Sequence, residues 1–231
     1  LIHLSILKII HSEIKLKIAR ISNWLVEIKE VFILGKFTII SDVGKSLVNM
    51  FKDQMTPEPI SKPENIGVCD PKERGEAILG IHIYDTKESD APKQLNPIKL
   101  PDGSLQGPPT IYEVKYMLSI VSKAEPSTRA LDEQKIFGKL LQIIGDNKTI
   151  PHKYMTDSLK ISGEEISIEM LPLELEEKVK IWTMFSEPYK TSVFIRCSPI
   201  IIESSKITPP PKHFVKSVQF GIENSKKGEN S

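Results

Sequence analysis

With 231 residues, 39% of them hydrophobic and 26% charged, the chain has the composition of a globular protein and length enough for one substantial core with appended segments. Thirty-one basic residues stand against 30 acidic ones, and a net charge of +1 argues against a nucleic-acid-binding surface. Two cysteines, Cys69 and Cys197, are too few for a disulfide framework or a cysteine zinc site.

Residues 1–36 are rich in Ile, Leu and Lys. Ile14, Ile18, Ile21, Leu25, Ile28 and Phe32 recur at alternating steps of four and three, which predicts an amphipathic helix with a seam shorter than a coiled coil needs. The segment is read as a helical extension or a non-native upstream stretch; a basic amphipathic helix lying on a membrane surface is the alternative. No run reaches the ~18 uncharged apolar residues of a membrane span, and no apolar block with a small-residue cleavage site marks a secretory signal.

From Ser41 the pattern is more regular. Ser41 or Asp42 is placed to cap a helix whose buried face carries Val43, Leu47, Met50 and Phe51 and which ends near Met55, ahead of Pro57 and Pro59. Strands follow around Asn65–Cys69 and over Ile78–Tyr84, where Leu79, Ile81 and Ile83 alternate with Gly80, His82 and Tyr84. Residues 86–109, polar and rich in Pro and Gly, read as a long functional loop. The clearest strand is Thr110–Val121, with Tyr112, Val114, Tyr116, Leu118 and Ile120 on the core face and Glu113, Lys115 and Ser119 on a wetter one.

A helix from Ser127 or Thr128 to Ile144 is expected to bury Phe137, Leu140, Leu141 and Ile144 and to stop at Gly145-Asp146-Asn147. After a short turn or helix come a strand at Glu165–Leu171, a helix at Leu173–Phe185 carrying Leu175, Val179, Trp182 and Met184, and a strand at Thr191–Ile202. Pro199 makes that last strand an edge or a bulge. Pro209-Pro210-Pro211 then stiffens the connection to an apolar patch, Phe214–Ile222, and a polar tail. Helices and strands do not alternate strictly and several strands are amphipathic. The fold class is therefore α+β, a mainly antiparallel sheet with helices packed on one face. The domain is placed at 37–207, with 208–231 as Pro-rich linker and tail.

Chemical motifs are sparse. Gly44-Lys45-Ser46 lacks the glycine five residues earlier that a phosphate loop requires, since position 39 is Ile39. The five histidines (His3, His11, His82, His152 and His213) lack metal-ligand spacing. Glu164-Glu165 and Glu176-Glu177 read as solvated charge. Asn147-Lys148-Thr149 fits a glycosylation acceptor that would need a secretion signal. No Ser-His-Asp elbow or dinucleotide loop is present. Catalytic, metal-binding and cofactor-binding residues are thus read as none, and no cofactor is expected. A hydrolase or transferase with an unrecognised site near His82 is the enzymatic alternative.

Three phrases carry a family resemblance: PPTIYEVKYMLSIV at 108–121, LDEQKIFGKLLQIIGDNKTIP at 131–151 and LELEEKVKIWTMFSEPYKTSVFIRCSPIII at 173–202. The most specific part is a helix with Trp, then Pro-Tyr, then Ser-Val and a strand. Together with SDVGKSLVNMF and LGIHIYD they resemble the N-terminal domain of the cap, or tail-terminator, proteins of phage-tail-like contractile injection systems. The resemblance covers about 37–203 and implies a structural protein. Its subunits would form a ring, a hexamer by implication, seated on the end of the inner tube, with the sheath as a further partner. It also implies assembly in a bacterial cytoplasm and residence in the injection particle, which acts outside the cell. Within the 191–202 strand, Val193, Ile195 and Cys197 point to the core and Phe194 and Arg196 the other way. Phe194, Arg196, His82 and Tyr84 are the candidate subunit-interface residues.

Overall fold

In the computed structural model, which describes residues 37–89 and 96–210, five strands form the central sheet. The expected helical extension over 1–36 and the apolar patch Phe214–Ile222 lie outside those residues. The strands are β1 (Ile66–Val68), β2 (Leu79–Glu88), β5 (Thr110–Ile120), β7 (Ser192–Ile202) and β6 (Ser167–Met170), in the spatial order β1-β2-β5-β7-β6. Only β1 and β2 run parallel; the remaining pairs are antiparallel. A small second sheet joins β3 (Ile98–Lys99), β4 (Leu105–Gln106) and β8 (Ile207–Thr208). The α+β class with a mainly antiparallel sheet is as expected.

Strand alternation sends Leu79 and Ile81 of β2, Val114, Tyr116 and Leu118 of β5, and Val193, Ile195 and Cys197 of β7 to one face. There they meet Val43, Leu47, Met50 and Phe51 of α1 (residues 37–55), Ile136, Leu140, Ile143 and Ile144 of α2 (Pro126–Asp146), and Leu159 of α3 (Asp157–Ser162). A ninth strand residue, Ile168 of β6, closes the same core. Three helices thus share one face. The fourth, α4 (Leu175–Met184), lies across the opposite face, where Trp182 packs with Met117 and Phe194.

Several local expectations shift. Residues 37–40 are already helical, so Ser41 and Asp42 lie inside α1 rather than at its cap. Ser41 donates to the Thr38 carbonyl (2.7 Å) and Asp42 turns inward. In α2, Pro126 opens the helix, and the buried stripe is Ile136, Leu140, Ile143 and Ile144. Leu141 is exposed and Phe137 only half-buried, because at 100° per residue they fall on the flank of that stripe. The helix α4 starts two residues late, at Leu175, where Glu174 and Glu177 form a reciprocal capping box. Of its four expected core residues only Trp182 is buried; Leu175, Val179 and Met184 face solvent.

Within the expected loop over 86–109, the described residues include regular strand. Strand β2 continues to Glu88, still paired with Tyr112, and β3 and β4 follow as a hairpin on which β8 lays a third strand. The outer end of β2 and the residues of β3 and β8 are exposed, so these strands carry no buried alternation to read. Pro199 does mark a bulge: partner pairs step from Tyr112↔Ile200 to Val114↔Cys197, giving β7 one extra residue around Ser198-Pro199. Strand β7 is otherwise interior up to Ser198, held by β5 and β6.

The two cysteines part company. Cys197 is fully buried among aliphatic side chains, and burial pushes its thiol up to about 12. Cys69 follows β1 and is half-buried, its thiol raised by burial first, with the Arg74 charge opposing. A thiol kept protonated by burial contributes its stability fully below its ordinary pKa of ~9 and loses it as pH climbs toward the raised value. Unfolding free energy is therefore expected to fall with pH from about 9 upward, and Cys197→Ala should flatten that fall. Urea titrations at pH 8 and 10.5 check it, and an equal slope in both proteins would refute it.

Candidate subunit interface

The face of the sheet opposite the main core is built from alternate residues: Gly80, His82 and Tyr84 on β2, Ser119, Met117, Lys115 and Glu113 on β5, Ser192, Phe194 and Arg196 on β7, and Glu169 on β6. Its upper part is roofed by α4. Trp182 is fully buried there and donates from Nε1 to Ser192 Oγ at 3.1 Å, while Met117 and Phe194 complete the cluster. Lys190 sits 5.6 Å over the Trp182 ring and pairs with Glu187 at 2.7 Å.

Below α4 the face becomes ionic. Asp85, Lys115, Arg196 and Glu169 occupy one cross-strand row over β2, β5, β7 and β6. Lys115 Nζ meets Asp85 at 2.8 Å, and the Arg196 guanidinium is held between Glu113 (3.0 Å) and Glu169. The two cations are directly opposed, and each is neutralised by an acid on its other side. The Glu169 bond leads in holding Arg196 more firmly charged than usual.

The structure brings the four candidate residues to this one face but gives them different roles. Phe194 is buried under α4, where it packs with Trp182 and Met117, so it is not on an exposed strand face as the alternation alone implied. Tyr84 stacks edge-on against Phe194 (5.4 Å between centroids), and burial first, then the Asp85 and Glu177 charges, push its phenol up to about 12. The half-buried His82 ring lies edge-on to Phe185 at 5.0 Å, with Nδ1 3.2 Å from the Cys69 carbonyl. Arg196 is partly exposed at the seam between the roofed and ionic halves.

Sequence reasoning missed Arg74. Its guanidinium folds back over Gly80, donating to Ser119 Oγ (2.6 Å), the Ser119 carbonyl (2.8 Å) and the Ile78 carbonyl (3.1 Å). The available signal was Gly80 itself, a glycine inside a strand pattern, which marks the close approach of another group. A Cβ at Gly80 would stand 2.7 Å from Cys69 Sγ and 3.1 Å from Arg74 Nη2. Gly80→Ala is therefore expected to cost about 1–3 kcal/mol by overpacking, read as a lower urea midpoint at unchanged slope. An unchanged midpoint would contradict the close approach.

Among the described residues no three His, Cys, Asp or Glu side chains gather as metal ligands, and no helix is long and apolar enough to cross a membrane. The small β3-β4-β8 sheet leaves Ile98, Leu105 and Ile207 exposed.

Comparison with known proteins gives concordant results. A family model, the Pvc16 N-terminal domain, matches residues 42–214. Two similar solved structures are a sheath/tube terminator of the extracellular contractile injection system PVC in its extended state, and the tube-terminating cap of the anti-feeding prophage. The first is 13% identical with a TM-score of 0.54, covering 81% of this chain and 65% of the other; the second is 13% identical with a TM-score of 0.53, covering 79% and 61%. The chain thus spans somewhat less than two thirds of the length of those proteins. No curated protein sequence matches it.

Proposed function

This chain belongs to the Pvc16 N-terminal domain family, and from that premise we propose that it is a structural cap of a phage-tail-like contractile injection particle rather than an enzyme. It binds the end of the inner tube and stops its growth by closing as a ring, a hexamer, with the sheath as a second partner. Residues 37–207 supply the capping domain, 1–36 an extension and 208–231 a linker and tail. Assembly takes place in the bacterial cytoplasm, and the protein leaves with the particle.

The observation that carries this reading is the fold shared over 81% of the chain with a sheath/tube terminator. The physical logic agrees. A closed ring needs two complementary surfaces per subunit, and a terminator needs one surface that fits the tube and another that cannot propagate it. Arg196, His82 and Tyr84, still partly exposed, are the residues proposed to meet a neighbouring subunit, with Phe194 holding them from beneath. The ionic row beside them is already internally neutralised, which suits a surface that must stay soluble before assembly and pack without unpaired charge afterwards.

Tube protein polymerised with and without the purified full chain tests the proposal. Tubes of limited length carrying a ring at one end are expected. A chain that stays monomeric, leaves tube length unchanged and is absent from tube ends would end it.

A further inference from the structure

Strand β7 is paired on both sides only as far as Ser198. Over 199–202 it has β5 on one side and no strand on the other among the described residues. Beside that open edge runs a groove of about 190 Å³ with an apolar floor of Ile39, Ile161, Ile166 and Ile201. Among the described residues Ile161 is left 58% exposed in it, beside the buried Ile39 and Ile166. The charged residues lining the groove, Glu164 and Glu203, are both acidic.

The chain carries a segment of matching chemistry. Over 214–222 the sequence places Phe214, Val218, Phe220 and Ile222 at even positions, the alternation of a strand with a mainly apolar face that Lys216 interrupts once. Lys212 and Lys216 give it positive charge, and 211–222 contains no acidic residue. This segment falls almost wholly beyond the 42–214 family match.

Where the described chain ends decides whose groove it reaches. Past Glu203 no described residue lines the groove; β8 pairs with β4, and Pro210 stands 3.7 Å from where a Cβ on Gly103 would be, at the β3–β4 turn. The run Pro209-Pro210-Pro211 favours extended backbone, about 3.1 Å per residue, over an immediate reversal toward the same subunit's groove. We propose that the groove beside the open end of β7 receives residues 214–222 of a second copy of this chain, so that each subunit's C-terminal segment clasps its neighbour. Pro199 withholds one backbone donor at that edge, so recognition rests on the apolar floor and acidic rim more than on a full ladder of hydrogen bonds. The inference rests on the ring reading and names the contact that closes it.

The test uses full-length chains in a Cys69→Ala background, one carrying Ile161→Cys and the other Val218→Cys, mixed and oxidised. A disulfide-linked dimer that forms well above a Leu131→Cys control, together with a drop toward monomer mass when 211–231 are deleted, is the expected result. Absence of that dimer overturns the clasp. So does an intrachain link only, in the Ile161→Cys/Val218→Cys double variant, or preferential linkage of Ile161→Cys to Phe32→Cys. A ring that survives the deletion overturns it too. Tube-end binding of the unmodified chain, measured in parallel, separates the two proposals: retained binding with no cross-link removes the clasp alone, while a cross-link with no tube binding removes the cap reading.

Discussion

Trp182→Ala is expected to lower the unfolding free energy by about 3–5 kcal/mol, the usual cost of emptying a large buried aromatic site. Trp182 is fully buried and is the only buried residue of α4, so it alone anchors the roof over Met117 and Phe194. A ten-residue helix has little stability by itself, and without that anchor α4 is left with half-buried Ile181, the half-buried Phe185 at its C-cap and its capping box. Trp182→Phe keeps most of the apolar contact and loses the Nε1 bond to Ser192, a loss of about 1 kcal/mol in hydrogen bonding. Urea denaturation measures the total, and amide exchange over 175–184 localises it. An alanine variant within about 1 kcal/mol of the parent, or exchange rates unchanged in α4, would show that the helix is held by something else. Because the same helix supports Tyr84 and Phe185, and through Phe185 His82, the variant is also expected to weaken ring formation.

Asp42→Ala is expected to cost about 3 kcal/mol, through lost hydrogen bonds to a charged group and the donors it strands. The Asp42 side chain is nearly buried and accepts from Ser158 Oγ (2.7 Å) and Thr38 Oγ1 (3.1 Å), with Lys45 Nζ at 3.4 Å. Fully buried Ser46 donates to the Asp42 carbonyl at 2.7 Å and accepts from the Thr156 amide at 3.2 Å. These bonds pin the six-residue α3 to α1, and α3 is far too short to persist undocked. Asp42→Asn, which keeps an acceptor for Ser158, should lose less than half as much. Selective loss of exchange protection over 157–162 is the expected signature. Equal stability of the alanine variant and the parent would contradict the docking role. The network also settles Gly44-Lys45-Ser46: Ser46 serves helix docking, and the triplet lies in the middle of α1.

The core was legible where one face of an element is dry and the other wet. The positions on α1 and the alternating residues of β5 and β7 follow directly from periods of 3.6 and 2, and both are buried as expected. Legibility failed where burial depends on a partner element. Leu175, Val179 and Met184 share a helix with Trp182, and sequence alone cannot say that only Trp182 reaches the sheet. The extension of β2 to Glu88 and the β3-β4-β8 sheet escaped for the opposite reason: most of their residues are exposed, so their backbone pairing leaves little hydrophobic imprint.

The sequence by itself determined the α+β class, the main core residues, an edge or bulge at Pro199 and the resemblance to tail-terminator caps. These depend on local periodicity, on proline's missing donor and on phrases of sequence, all of which survive without coordinates. Tertiary structure decided the candidate interface. It put α4 on the second face, turned Phe194 from a surface residue into a buried support, and set Asp85, Lys115, Arg196 and Glu169 in one neutralised row. Strand order and register fix which charges face each other across a sheet, and both are long-range choices that no single segment encodes.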